Sequence, residues 1–568
     1  MAFSRAAVAT LLLLSSSLAS AIPTVLIDAN GNSTSIPRLG AVASESSVCT
    51  QIGIDMLEQG GNAIDALVGT VFCVGTIGMY HSGIGGGGFM LVRGPNGTYE
   101  FIDFRETAPA AYYETMYVND TDLSLYGGLA AGVPGELRGL EYVHNKYGVL
   151  PWKTVMTPAV NVARYGFEVT ADTARYFAEV DDDFLINDPA WAIDFAPNGT
   201  LLQEGDIMTR KRYADTLETI SNEGADAFYT GAIAEATIAA LQASNGTMTV
   251  EDLANYTVAL RDPVSIDYRG YTVTSCSAPS GGEVALSILN IVNGFDGFSD
   301  PSQINLTTHR FDEAMRWSYG MRTNLGDPSF VANMSTYQEE MLSQATAAEI
   351  RSKISNYTTF NTSYYDPDNL EVLNDHGTSH IVAADHTGLS VSITTTINTI
   401  FGSQLMVPET GVIMNNEMND FSTPGSTNAF GYAPSEANYI APGKRPLSSI
   451  SPTIVEYPGG GLFFISGSAG GSRIITATAQ IVRHAIDQNM TSHEALLQPR
   501  MHDQLSPNYV SFEYAYNNET TAYMESLGHV VEWVAPGEST AQALRLLPNG
   551  TFEAAGEPRQ LASAGRAI

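Results

Sequence analysis

The chain has 568 residues, 44% of them hydrophobic, and no low-complexity tract, so it is globular almost throughout and long enough for one large divided core or several domains. Lys and Arg number 27 against 61 acids, a formal charge of −34 that argues against nucleic acid and anionic membranes as partners. Three cysteines, Cys49, Cys73 and Cys276, allow at most one bridge and leave a thiol, and ten histidines without an HExxH pair or a Cys/His cluster argue against a zinc site, so neither a metal nor a cofactor is expected.

Arg5, an apolar run from Ala6 to Leu14, a Ser-rich stretch and Ala19-Ser20-Ala21 predict a secretory signal peptide over 1–21, because the run is too short to span a bilayer. A retained signal anchor is the alternative. Thirteen Asn-X-Ser/Thr sequons, among them Asn32, Asn96, Asn119, Asn198, Asn245, Asn356 and Asn549, suit a glycosylated secreted protein, whether released or held in a vacuole or cell wall.

Gln51 to Glu58 and Ala63 to Val74 read as helices, with Gly60-Gly61-Asn62 stopping one and starting the next. The run from His81 to Phe89 contains GxGxxG, but its order is helix, glycines, strand, whereas a dinucleotide site needs strand, glycines, helix. These glycines are expected to let backbone segments pack closely. Strands Phe89 to Arg93 and Tyr99 to Phe104 flank the turn Pro95-Asn96-Gly97 and end at Arg105. From about 135 to 355 the pattern is mostly helical, as in Tyr213 to Ser221 and Ala232 to Ala243. Residues 356–377 are polar and read as an exposed linker.

After that linker comes His376-Gly377-Thr378-Ser379-His380. An internal Thr has its nitrogen in an amide, but cleavage after Gly377 would give Thr378 a free α-amine beside its own hydroxyl, so that nucleophile and base share one residue. The following text builds a hairpin. Leu389, Val391 and Ile393 alternate with Ser390, Ser392, Thr394 and Thr396, the pattern of a half-buried strand. The three-residue loop His386-Thr387-Gly388 sets Asp385 opposite Leu389, and the same register sets Thr378 opposite Thr396. A plain Thr-rich strand is the competing reading.

Further on, Gly411 to Asp420 reads as a short strand entering a polar turn, and Thr423 to Gly443 as a Pro/Gly/Ser/Asn-rich loop, a candidate lid. Ser448-Ser449, a strand pair, and Gly467 to Arg473 then open a helix from Ile474 to Asp487. Gly470 and Gly471 at that helix start are candidates for an oxyanion hole. Taken singly, Arg105, Glu417 and Asp420 read as surface charges. Together, Arg105 could clamp a carboxylate and the two acids an ammonium, the head group of an amino acid.

These segments occur in the order and spacing of one family. From Gly40 through Ser82 to Leu91, Asp103 to Pro109, Gly132 to Gly135, Asp327-Pro328, Thr378 to His380, Asn415 to Ser422, Arg445 to Ile454 and Gly467 to Ile474, the chain resembles the γ-glutamyltransferases (glutathione hydrolases) of the N-terminal nucleophile hydrolase superfamily. The resemblance implies an α/β fold, a four-layer αββα sandwich. It also implies a precursor that cuts itself between Gly377 and Thr378 into a large subunit (22–377) and a small one (378–568), which remain one intertwined domain and form a heterodimer.

By the same resemblance Thr378 is the nucleophile and Thr396 its support. Arg105, Ser448 and Ser449 would hold a glutamyl α-carboxylate, Asn398, Glu417 and Asp420 the α-ammonium, and Gly470 and Gly471 the oxyanion. Glutathione and other γ-glutamyl compounds would be donors, with water, amino acids or dipeptides as acceptors. Ser379 and Ala469 stand where many members have Thr and Pro, departures that the reading tolerates, while Phe430 in the candidate lid stands where some members have Tyr, which leaves the balance of hydrolysis and transfer open. An acylase acting on another side-chain amide, and a secreted glycoprotein with a dead site, are the alternatives.

Overall fold

The alternating text of 378–396 forms the middle of a sheet. In the computed structural model, which describes residues 25–27, 33–35, 38–180, 183–365, 377–425 and 434–568, strands Gly377–Asp385 and Ser390–Asn398 pair antiparallel. Thr378 lies opposite Thr396, as the register predicts, and Gly388 closes the turn with φ +88°. The signal segment, His376 and Phe430 lie outside the described residues.

This hairpin sits inside a seven-stranded antiparallel sheet. In spatial order its strands are Ala564–Ala567, Gly40–Ser44, Gly377–Asp385, Ser390–Asn398, Gly87–Arg93, Tyr99–Asp103 and Ala259–Arg261. Strands from before and after Gly377 are interleaved in it, so backbone hydrogen bonds of the ladder cross the expected cut. A six-stranded antiparallel sheet, from Phe552–Ala555 through Thr540–Leu546, Leu462–Ala469, Thr453–Glu456 and Tyr271–Ser275 to Val264–Tyr268, packs against it.

Phe89, Leu91, Val382 and Ala384 of one sheet meet Ile454, Ile465 and Leu544 of the other. Helices Ser47–Glu58 and Ala63–Ile77 cover the outer face of the first sheet, and Gly282–Asn293, Ile304–Arg322 and Arg473–Asp487 that of the second. The result is the expected αββα sandwich. Asn62 caps Ala63–Ile77 in a capping box, and Cys49–Cys73 bridges this helix to the preceding one while Cys276 stays buried and unbridged. Within residues 1–36, the described strands Val25–Ile27 and Ser33–Ser35 pair with one another.

Three expectations change. Strand Ser390–Asn398 is buried on both faces, not half-buried, because its hydroxyl face lies against the second sheet. The region expected to be mostly helical also contributes Val264–Tyr268 and Tyr271–Ser275, joined by Arg269-Gly270, both at positive φ, as a tight two-residue hairpin requires. Gly411 to Asp420 is no strand; it makes one bridge, Met406 to Ile413, and a 3₁₀ turn over Glu417–Asp420.

Candidate active site

The hydroxyls of the hairpin converge where the two sheets meet. Thr396 Oγ1 donates to the carbonyl oxygen of Gly377 at 2.6 Å, accepts from the Asn398 N–H at 2.8 Å, and lies 3.4 Å from Thr378 Oγ1. Thr378 is 1% exposed. A Cβ on Gly377 would stand 2.4 Å from the carbonyl oxygen of Thr399 and 2.7 Å from that of Asn398. Crowding, not a left-handed φ, therefore requires glycine there.

The glycine run before the first hairpin also earns its place through close approach. A Cβ at Gly86 would lie 2.0 Å from the Thr396 carbonyl oxygen, and one at Gly85 2.0 Å from that of Ile413. Below the hairpin, Thr395 donates its hydroxyl to the Glu136 carboxylate, and Ser82 bonds Ser379 at 3.3 Å. Burial pushes Glu136 up to about 7 and the neighbouring Glu106 to about 8. Burial likewise lowers His380, which shares a hydrogen with Thr394 at 2.8 Å, to about 3, so its ring is neutral near pH 7.

Thr378 and Gly470 line one cavity of about 320 Å³. Gly470 (φ +120°) and Gly471 (φ +58°) take left-handed backbone conformations that favour glycine, just ahead of helix Arg473–Asp487, and a Cβ at Gly470 would lie 2.4 Å from the Glu538 carbonyl oxygen. The cavity also shows a residue that the sequence reading passed over. His81, where the glycine run begins, lines its wall and holds Nδ1 3.1 Å from Glu45 Oε2.

Arg105, Glu417 and Asp420, which singly read as surface charges, are all buried. Arg105 lies two residues beyond strand Tyr99–Asp103 and is ion-paired through Nη1 to Glu417 and through Nη2 to Asp420. One guanidinium thus meets two buried carboxylates. Burial raises Asp420 while the Arg105 guanidinium opposes the shift.

Asn415 fixes Glu417 by accepting its N–H at 3.0 Å and donating to the Gly85 and Gly132 carbonyls. Asn398, at φ +76°, donates from Nδ2 to the Asn416 carbonyl at 3.0 Å, which ties the end of the hairpin to the same turn. Ser448 accepts the Ile450 N–H at 3.2 Å, and Ser449 Oγ accepts from Arg322 at 3.4 Å. Arg322 also acts electrostatically on Asp420, a link that no sequence pattern signals. Arg105, Glu417 and Asp420 do not line the cavity that holds Thr378.

A family model, Gamma-glutamyltranspeptidase, matches residues 49–566. The chain is 54% identical over 546 residues to the glutathione hydrolase proenzyme of Arthroderma benhamiae, covering 93% of this chain and 92% of the relative. It is 52% identical to the glutathione hydrolase of Aspergillus flavus, covering 93% and 89%. Among solved structures, the cephalosporin acylase from Bacillus halodurans superimposes with a TM-score of 0.81 at 26% identity, over 98% of this chain and 99% of that one.

Proposed function

The chain belongs to the γ-glutamyltranspeptidase family, and on that premise we propose that it is a secreted glutathione hydrolase and γ-glutamyltransferase that matures by cutting itself before Thr378. The single observation that carries this reading is the Thr396 hydroxyl, which donates to the Gly377 carbonyl oxygen while lying beside Thr378 Oγ1. In the intact chain it polarises the carbonyl that must be attacked. Thr378 Oγ1 adds to that carbonyl carbon while its proton passes to the Thr378 nitrogen, the C–N bond gives way to an ester, and water hydrolyses the ester. Gly377 then ends in a carboxylate and Thr378 begins with an amine.

In the cut enzyme the α-amine, with an ordinary pKa of roughly 7.7 to 8.0, takes the hydroxyl proton as Oγ1 attacks a γ-glutamyl carbonyl. The amine hands that proton to the departing nitrogen, and cysteinylglycine or another amine leaves. Water or an amino acid or dipeptide resolves the glutamyl ester. The Gly470 and Gly471 backbone N–H groups steady the oxyanion in both steps. Arg105, with Ser448 and Ser449, takes the α-carboxylate, while Glu417, Asp420 and Asn398 are left to receive the α-ammonium. Binding thus exchanges internal ion pairs for pairs with the substrate.

Secretion rests on the signal pattern of 1–21 and on exposed sequons at Asn96, Asn119, Asn198, Asn245 and Asn549. Among the described residues no helix is long and apolar enough to cross a membrane. The structural likeness to a cephalosporin acylase supports a second reading, cleavage of another side-chain amide. The buried Arg105, Glu417 and Asp420 weigh against it, since a glutaryl carboxylate that drew Arg105 away from the two acids would bring no ammonium to take its place. Release of aniline from γ-glutamyl anilide, but not from glutaryl anilide, is the expected result. Acceleration by glycylglycine would make transfer part of the activity, and the reverse preference would install the acylase reading.

A further inference from the structure

Helix Ile304–Arg322 carries His309 and Glu313 four residues apart, hence on one face, with Asp312 and Arg316 nearby. All four are buried, and His529, from far along the chain, is buried beside them. His309 Nε2 lies 2.6 Å from the Ser355 carbonyl oxygen, which can only accept, so the ring proton sits on Nε2 and Nδ1 keeps a lone pair. That Nδ1 faces His529 Nε2 at 2.8 Å. His529 Nδ1 in turn lies 3.0 Å from Asp312 Oδ2, so beside an ionised Asp312 its proton belongs on Nδ1 and its Nε2 keeps a lone pair as well. Two lone pairs then point at each other across a buried gap, which calls for a positive centre between them.

The carboxylates make the same demand. Glu313 accepts hydrogen bonds from the Thr359 hydroxyl at 2.7 Å and the Tyr365 hydroxyl at 2.8 Å, and neither brings charge. Beyond the His529 ring at 3.0 Å, neither oxygen of Asp312 has a donor. The Arg316 guanidinium is already paired with buried Asp503 at 2.7 Å. Three buried carboxylates thus share one guanidinium.

We propose that His309 Nδ1, His529 Nε2 and a Glu313 carboxylate oxygen bind a divalent cation of the zinc class, with Ser355 and Asp312 fixing the two rings from behind. The three ligand atoms lie within 4.8 Å of one another. Two imidazoles and one carboxylate are a donor set that zinc accepts, and a carbonyl or carboxylate on the far ring nitrogen is the usual support of a metal-binding histidine. The facing nitrogens need to part by about 0.5 Å to sit at tetrahedral positions roughly 2.0 to 2.1 Å from a zinc ion. Positions 309, 313 and 529 are too far apart in the chain to form a recognisable motif, which is why the sequence argued against a zinc site.

The role assigned is structural, because the cluster does not line the cavity at Thr378. It joins a helix and Ser355, Thr359 and Tyr365, at the root of the segment leading to Gly377, to His529 beyond it. The site does not depend on the family reading.

The test is zinc content of the purified full chain after equilibration with micromolar zinc and gel filtration in metal-free buffer. About one zinc per chain is expected, with a melting temperature that falls by at least ~2 °C on chelation and recovers on zinc addition. Cobalt in its place should give the visible absorption of a tetrahedral site, and His529→Gln and Glu313→Gln should each lower metal affinity at least tenfold. Wild-type protein that retains less than about a tenth of an equivalent and shows no shift with zinc would overturn the proposal and leave a shared proton between the rings. Should the variants fail to fold, the wild-type measurements decide alone.

Discussion

A threonine hydroxyl is a poor nucleophile toward a substrate until some group takes its proton, and on the proposed reading that group, the Thr378 α-amine, is freed only when the peptide bond before Thr378 is cut. Thr396 stands at the bond to be broken. Its replacement by Val should slow self-cleavage by about 100-fold or more, the usual loss when one oxyanion donor is removed, whereas Thr396→Ser should retain most of the rate. The appearance of two bands on denaturing gels over time reads both. Arg105 is tested by steady-state kinetics. Arg105→Ala should reduce kcat/KM for a γ-glutamyl anilide by ~30-fold or more, because it removes the substrate carboxylate's partner and strands Glu417 and Asp420. Arg105→Lys should rescue little of it, since an ammonium cannot reproduce a fork that meets two groups at once.

At the scale of elements, the catalytic hairpin is held between glycine backbone on one side and strand Gly40–Ser44 on the other. Gly86→Ala drives a methyl to 2.0 Å from the Thr396 carbonyl oxygen, so it should destabilise the fold by about 1–3 kcal/mol or more and yield little cleaved protein. Intact yield and cleavage matching the wild type would show that this contact can relax. The hairpin was legible because period-two alternation and a turn ending in Gly388 fix both face and register locally. Its complete burial was not, because the covering strand Leu462–Ala469 lies about seventy residues further on. Val264–Tyr268 and Tyr271–Ser275 carried a signal that the helical context masked: alternation on both sides of Arg269-Gly270. The pairing of Arg105 with Glu417 and Asp420, three hundred residues apart, is a product of tertiary packing that no local pattern contains.

For the whole molecule, buried ionisable groups set a pH dependence that can be signed. Burial raises Glu106 and Glu283 to about 8 and Glu136 to about 7, from an ordinary 4.5, so folded protein holds protons that unfolded chain has released. Stability is therefore lost as pH climbs from about 4.5 through about 8. Burial lowers His380 and His502 from 6.5 to about 3, so stability is lost as pH falls below about 6.5. Between pH 8.5 and 6.5 these carboxylates outnumber Lys444, which burial lowers to about 8 and which acts in the opposite direction, and easing of the −34 charge works with the carboxylates. The melting temperature should be several degrees higher at pH 6.5 than at pH 8.5. A flat profile, or a rise toward pH 8.5, would mean that these carboxylates are ionised in the folded chain.

The sandwich itself was visible from the sequence through its family resemblance, whereas the interleaving of its strands emerges only when the sheet is assembled. Strands from both sides of Gly377 are interleaved in the central sheet, so a cut chain should stay together until it is denatured. The most direct test of the account is the N-terminal sequence and intact mass of the smaller fragment from purified wild-type protein, set beside a Thr378→Ala variant. The account predicts a fragment beginning Thr378-Ser379-His380 in the wild type and a single uncut, inactive chain in the variant. A wild-type fragment that begins elsewhere, or a Thr378→Ala protein cut at the same bond, would contradict it.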